Sequence, residues 1–189
     1  MPGGRHNHIY AEPIKSVRPD GDFYETPEEA TIALLKREQF EGNILEPACG
    51  RGAISQVLKD YGYEVYSNDL MYRGYGMGSN VDFLTTNYTA VNNIITNPPF
   101  KLAKKFVLKA LESTDKKVAM FLRLAFLESQ SRKEMFQNTP LARVYVFSKR
   151  LTLYLGDMPK EERGGSGNIA FAWFVWDHEY KGEPVLRWI

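Results

Sequence analysis

Apolar and polar residues alternate along the chain in two rhythms, one of period near 3.6 and one of short continuous runs, and the two succeed each other in turn. From Thr26 the segment TPEEATIALLKREQF sets Ala30, Ala33, Leu34 and Leu35 on one stripe. Thr26 is placed as N-cap, Pro27 as first helical residue, and acids fill the first turn, where they suit the helix dipole. The spacing predicts a helix of about four turns. NILEPACG then reads as a short apolar strand running into a Gly turn, and RGAISQVLKDYG resumes helical spacing with Ile54, Val57 and Leu58. YEVYSNDL predicts a strand closing on an acid, NVDFLTT a short connection or edge segment, and AVNNIITNPPF a further strand. KLAKKFVLKALEST is helical, with Leu102, Phe106, Leu108, Ala110 and Leu111 as its apolar face. Strands alternating with helices predict an α/β fold, a parallel sheet covered on both faces.

The last third changes character. KKVAMFLRL, ARVYVFSKR and NIAFAWFVWD are strand candidates, with a helix at Glu128 to Asn138 between the first two, so a late antiparallel pair is expected on the parallel sheet. A Gly-rich polar segment, residues 156–168, reads as a mobile loop. Residues 1–22 carry Gly, Pro, His and Arg without apolar periodicity and read as a flexible arm, leaving 23–189 as a single domain.

Composition narrows this picture. A chain of 189 residues, 43% hydrophobic and 25% charged, suits one globular core. Net charge is +1, so a nucleic-acid partner has to be held by a local basic patch. The single cysteine, Cys49, excludes an internal disulfide and a cysteine metal cluster, and no metal is expected from His6 and His8 in the arm. No apolar run reaches membrane-spanning length and the N-terminus lacks a signal-peptide core, so the sequence predicts a cytoplasmic protein.

Candidate chemistry sits at the ends of predicted strands. EPACGRG places Glu46 at a strand end and Gly50 and Gly52 in the turn before a helix, where glycine lets a ligand approach the main chain. The motif lacks the full dinucleotide fingerprint and the Gly-Lys-Ser/Thr ending of a phosphate loop, so a pyrophosphate ligand is disfavoured. Asp69 closes the next strand about 20 residues on, a position suited to ribose hydroxyls. Asp82 offers a carboxylate to an exocyclic amine, and Phe83 a cover for an aromatic ring.

Strand AVNNIIT ends in Asn97-Pro98-Pro99-Phe100. Proline has no N–H and biases its predecessor towards extended geometry, so the ladder stops in a rigid turn. The Asn97 side-chain carbonyl and the Pro98 backbone carbonyl become two fixed acceptors, which suit an NH2 group. Phe100 adds a face for a planar ring.

The order EPACGRG, NDL, VDF, NPPF resembles the class I S-adenosylmethionine-dependent methyltransferases, in the branch that methylates the 6-amino group of adenine. Small size and the FYETP start look similar to the stand-alone adenine methyltransferases of bacteriophages. The resemblance spans residues 22–124 and, beyond them, only the strand pattern. It implies a Rossmann-like seven-stranded sheet, mostly parallel, with an antiparallel C-terminal strand. It implies S-adenosylmethionine as cofactor, with Glu46, Pro47, Ala48, Gly50 and Gly52 at its site, Asp69 on the ribose, and Leu70 and Asn97 as further cofactor-binding residues. Asp82 and Phe83 would lie at the cofactor adenine, and Tyr24, Thr26 and Pro27 at its methionine end. Asn97, Pro98, Pro99 and Phe100 would form the catalytic turn, with DNA as partner. Lys101, Lys149 and Arg150 would contact substrate, with Lys104, Lys105 and Arg163 as further phosphate candidates. A separate target-recognition region, usual in that branch, has no counterpart beyond the arm and the 156–168 loop. Methylation of an RNA adenine or of a protein glutamine stays open, as does a non-catalytic cofactor-binding subunit.

Overall fold

The computed structural model describes residues 23–77, 80–155 and 169–189. The arm at 1–22, the loop at 156–168 and Arg163 lie outside the described residues.

Seven strands form one sheet in the order β3-β2-β4-β5-β8-β6-β9. They are β2 (Ile44–Glu46), β3 (Val65–Ser67), β4 (Asn93–Thr96), β5 (Lys117–Arg123), β6 (Leu141–Val146), β8 (Phe171–Asp177) and β9 (Val185–Trp188). Strands β3, β2, β4 and β5 run parallel. Strand β8 inserts antiparallel between β5 and β6, and β9 adds parallel to β6 at the far edge. The late antiparallel strand is the one expected from NIAFAWFVWD. The edge strand β9 was not foreseen, because its residues are exposed and carry no apolar run. NVDFLTT resolves as a connection: Asp82 to Thr86 form turns, not a strand.

The buried strands read as near-continuous apolar runs because both faces are covered. In β5, Val118, Met120 and Leu122 join one core while Ala119 and Phe121 join the other. Strand β8 divides likewise, with Ala172, Phe174 and Trp176 on one side and Phe171, Trp173 and Val175 on the other. Helix α3 (Ala103–Ser113) and helix α4 (Gln130–Gln137) cover the first side through Phe106, Val107, Ala110 and Met135. Helix α1 (Glu28–Leu35) and helix α2 (Ala53–Asp60) cover the second through Ala30, Leu34, Ile54 and Leu58. The Trp173 indole N–H donates to the Ala30 carbonyl at 2.7 Å, which ties α1 to the sheet.

Helix α1 is shorter than its sequence stripe suggests. Pro27 takes the N-cap place, no side chain caps it, and the helix ends at Leu35. Ahead of it, β1 (Tyr24–Glu25) pairs antiparallel with β7 (Tyr154–Leu155), so the entry to α1 is clamped to the segment after β6.

At the edge where β5 begins and β8 ends, Glu38 is 4% exposed and accepts from Arg143, from Lys117 Nζ at 2.9 Å and from the Tyr145 hydroxyl at 2.7 Å. Arg143 also donates to Asp177 at 2.9 Å. Burial pushes the Glu38 carboxyl up, but the hydrogen bonds from Arg143, Lys117 and Tyr145 outweigh it and hold the group below its ordinary value. No helix among the described residues is long and apolar enough to cross a membrane.

Candidate active site

The carboxyl ends of β2, β3, β4 and β5 converge on the other edge of the sheet, where open α/β sheets bind ligands. A cavity of about 510 Å³ opens there. Its floor comes from β2 and the turn behind it. Backbone bonds from Asn68 N–H to the Glu46 carbonyl, from Cys49 N–H to the Asn68 carbonyl and from Gly52 N–H to the Cys49 carbonyl knit this turn to the end of β3. Gly50 and Gly52 have φ of +54° and +85°, a region that side-chain-bearing residues rarely adopt. A Cβ on Gly50 would stand 2.3 Å from the Phe23 ring, so glycine is also needed for space.

Asp69 closes this turn from the other strand. Its Oδ2 accepts the Gly50 N–H at 2.8 Å and its Oδ1 accepts the Met71 N–H at 2.9 Å. A carboxylate has about four lone-pair sites, so two bonds fix it and leave acceptor capacity for a ligand. Glu46 is 1% exposed, receives the Ser55 hydroxyl, and Ser55 in turn lies 2.6 Å from the Ser67 hydroxyl. Burial pushes its carboxyl up to about 8, against the Ser55 hydrogen bond, and the neighbouring Asp69 charge adds to the rise. Burial thus favours the protonated form of this acid over the charged one.

Asn97 faces the same cavity from the end of β4. Its amide nitrogen donates to the Tyr24 carbonyl at 3.2 Å and to the Thr26 hydroxyl at 3.0 Å. Both N–H groups are thus spent on β1 and its exit. The side-chain oxygen receives no donor among the described residues. Thr26, read from the sequence as a helix cap, uses its hydroxyl here instead.

Of the cofactor residues expected from the sequence, Tyr24, Thr26, Glu46, Ala48, Asp69, Leu70 and Asn97 line the cavity. Pro27, Pro47, Gly50 and Gly52 are not among its lining residues. Asp82 and Phe83 stand apart: Phe83 is 2% exposed and packs against Phe106 and Tyr88, and Asp82 Oδ1 accepts the Leu84 N–H at 2.9 Å. The Phe83 ring is a core residue because the connection turns before reaching the cavity. In the Asn97 turn, Pro99 lines the cavity and Pro98 is buried beside it. Phe100 begins a 3-10 turn (Phe100–Leu102) and packs on Tyr24, Phe171 and the Arg123 guanidinium. Lys101 lines the cavity, whereas Lys149 and Arg150 are exposed beyond the end of β6.

Sequence reasoning missed Arg123 at the end of β5, and Arg51, which lines the cavity with its ion-pair partner Glu25 at 3.8 Å. Arg123 was findable: it terminates an apolar strand beside β4, the same cue that marked Asn97.

No family model matches the sequence, and no curated protein matches it by sequence. Solved structures do match. The putative RNA methyltransferase of Pyrococcus horikoshii superposes with a TM-score of 0.56 at 15% identity, over 79% of this chain and 81% of its own. A modification subunit of a putative type I restriction enzyme from Vibrio vulnificus gives 0.59 at 13% identity, over 89% of this chain and 47% of its own. The type ISP restriction-modification enzyme LlaGI, solved with a DNA substrate mimic, gives 0.55 at 15% identity, over 88% of this chain and 28% of its own. This chain thus spans less than half the length of the two restriction proteins. The shared architecture is the Rossmann-like methyltransferase fold.

Proposed function

We propose that the chain is an S-adenosylmethionine-dependent methyltransferase acting on the 6-amino group of adenine in DNA. The observation that carries this reading is Asn97: both amide N–H groups are anchored, and the side-chain oxygen is left as an acceptor at the rim of the cavity. The DNA-bound neighbour LlaGI supports nucleic acid as the partner class.

The cavity fits the cofactor. Its volume lies within the usual ligand range of about 300–1,000 Å³. Asp69 retains acceptor capacity for ribose hydroxyls, and the protonated Glu46 would ionise beside a cationic amino group. Leu70, Met71 and Ala48 supply apolar wall. When bound, S-adenosylmethionine supplies an electrophilic methyl group on a positively charged sulfur.

The chain's own residues position the acceptor amine. Asn97 Oδ1, with the Pro98 carbonyl, accepts the two N–H bonds of the amine, which turns the nitrogen lone pair towards the cavity. Positioning of this kind supplies several kcal/mol without a strong base. The amine gives up one proton to water as its nitrogen gains carbon. Tyr24 and Thr26 hold the Asn97 amide against rotation, so the acceptor is set before substrate arrives.

The test is transfer from radiolabelled S-adenosylmethionine to duplex DNA, single-stranded DNA, RNA and protein extract, followed by digestion of each product. Label in 6-methyladenine from DNA is the expected result. Label confined to RNA or to protein glutamine would overturn the substrate. Cofactor binding with no label in any arm would overturn the activity and leave a regulatory subunit.

A further inference from the structure

Phe100, expected to stack a flipped base, is already covered. The Tyr24 ring stacks on it at 5.8 Å and 30°, Phe171 tilts against it at 5.9 Å, and the Arg123 guanidinium stands 4.3 Å from its centroid. A planar base reaches this ring by displacing one of them. The Tyr24 backbone is held by strand pairing to β7 and by the bond from Asn97 to its carbonyl. Phe171 is 6% exposed in the sheet core. The Arg123 side chain makes no hydrogen bond or ion pair among the described residues, and its Nε is buried without an acceptor.

A guanidinium carries five donors in a planar fork that matches phosphate oxygens, and a buried donor without an acceptor is costly. Among the described residues the guanidinium meets an aromatic face, a contact that is weak beside a charge-assisted hydrogen bond. The group lies at the end of β5, next to the Asn97 turn at the end of β4, so a nucleotide reaching Asn97 brings its own phosphodiester into range. A protein glutamine brings no such anion.

We infer that Arg123 is a phosphodiester-binding residue that occupies the base slot on Phe100 until a target nucleotide enters, then exchanges this ring contact for the backbone phosphate. This rests on the reading of the site as a nucleic-acid target site. Base stacking replaces the cation on Phe100, and the phosphate gives the Arg123 Nε the acceptor it lacks in the free protein.

The experiment measures binding of a fluorescein-labelled, adenine-containing single-stranded oligonucleotide by anisotropy across a potassium chloride series, with cofactor binding by calorimetry alongside. Arg123→Ala should weaken oligonucleotide binding at least about tenfold and lower the slope of log affinity against log salt by about 0.7, the loss of one phosphate contact. Arg123→Lys should recover most of the slope. Cofactor affinity should stay within about twofold for both, since neither change touches the cavity lining. Arg123→Gln, which keeps length and polarity, gives the same reading if the alanine variant melts early. Wild-type affinity and slope in both neutral variants would overturn the assignment while leaving the methyltransferase reading intact. A wild-type chain that binds cofactor but no oligonucleotide would overturn both the assignment and the nucleic-acid substrate.

Discussion

Asp69 reaches 19 residues back along the chain to accept the Gly50 N–H at 2.8 Å, joining the ends of two adjacent parallel strands through one carboxylate. The same group accepts from Met71, so removing it frees two backbone donors at once. Asp69→Ala should cost about 1–2 kcal/mol, since hydrogen bonds to a charged group contribute about 1.5–3 kcal/mol and this one is half exposed. That corresponds to a melting temperature lower by about 3–6 °C for a chain of this size. Cofactor dissociation constants should rise at least about tenfold by calorimetry. Unchanged affinity would remove Asp69 from the site.

Glu46 should make stability fall as pH rises. Its native value of about 8 lies above the ordinary 4.5, so between these values the unfolded carboxyl has released its proton while the native one keeps it. The native state then binds more protons, and unfolding free energy declines with pH until about 8, where the loss is complete. Urea denaturation of wild type and Glu46→Gln from about pH 5 to about pH 8.5 tests this, with the variant expected to show the flatter profile. Equal slopes would show that Glu46 does not titrate as described.

Cys49 should be inert in the native protein. Burial, and then the negative charges of Glu46 and Asp69, push its thiol up to about 12. At pH 8 about one thiol in ten thousand is then ionised, and the thiolate is the reactive form. Iodoacetamide should leave the folded protein unmodified and label it once in denaturant, as read by mass spectrometry. Rapid labelling of the folded state would contradict the burial.

The sheet and both covering layers were legible because fully buried parallel strands leave apolar runs, and helices leave stripes. The Asn97 turn was legible for a different reason: two prolines stop a ladder wherever they fall. Other features were hidden by long-range geometry. Phe83 reads as a ring near a cavity, but only the turn through Asp82 decides that it packs on Phe106. Thr26 reads as a helix cap because its neighbours in sequence say so, whereas its partner Asn97 lies 71 residues away. Strand β9 carries exposed residues and takes its place by pairing with β6.

The Glu38 network should govern stability without touching the cavity. Glu38→Gln leaves Arg143 with Asp177 but removes the charge that Arg143, Lys117 and Tyr145 converge on. Breaking such a buried pair costs about 3 kcal/mol, or roughly 6–12 °C in melting temperature. Because the Glu38 carboxyl is held below 4.5, its stabilisation is fully present above that pH and is lost as pH falls through the native value. The wild-type advantage over the variant should therefore shrink in acid. Cofactor affinity should be equal in the two proteins, since the network sits at the opposite edge of the sheet.

Thr26 should set the rate through Asn97. The residue is 5% exposed, and its hydroxyl accepts one of the two amide N–H bonds that orient the Asn97 oxygen. Thr26→Val keeps the shape and deletes the acceptor, so the amide retains only the Tyr24 carbonyl as an anchor and gains freedom to rotate. Losing one such bond corresponds to about 1 kcal/mol of preorganisation, so kcat should fall roughly five- to tenfold. Thr26→Ser restores the hydroxyl and should restore the rate. Cofactor affinity in both variants should change by no more than about threefold, because the side chain meets the ligand only along the cavity wall. A valine variant with wild-type kcat would mean that the Asn97 oxygen needs no hydroxyl to hold its aim, and a serine variant as slow as valine would assign the effect to packing at Thr26.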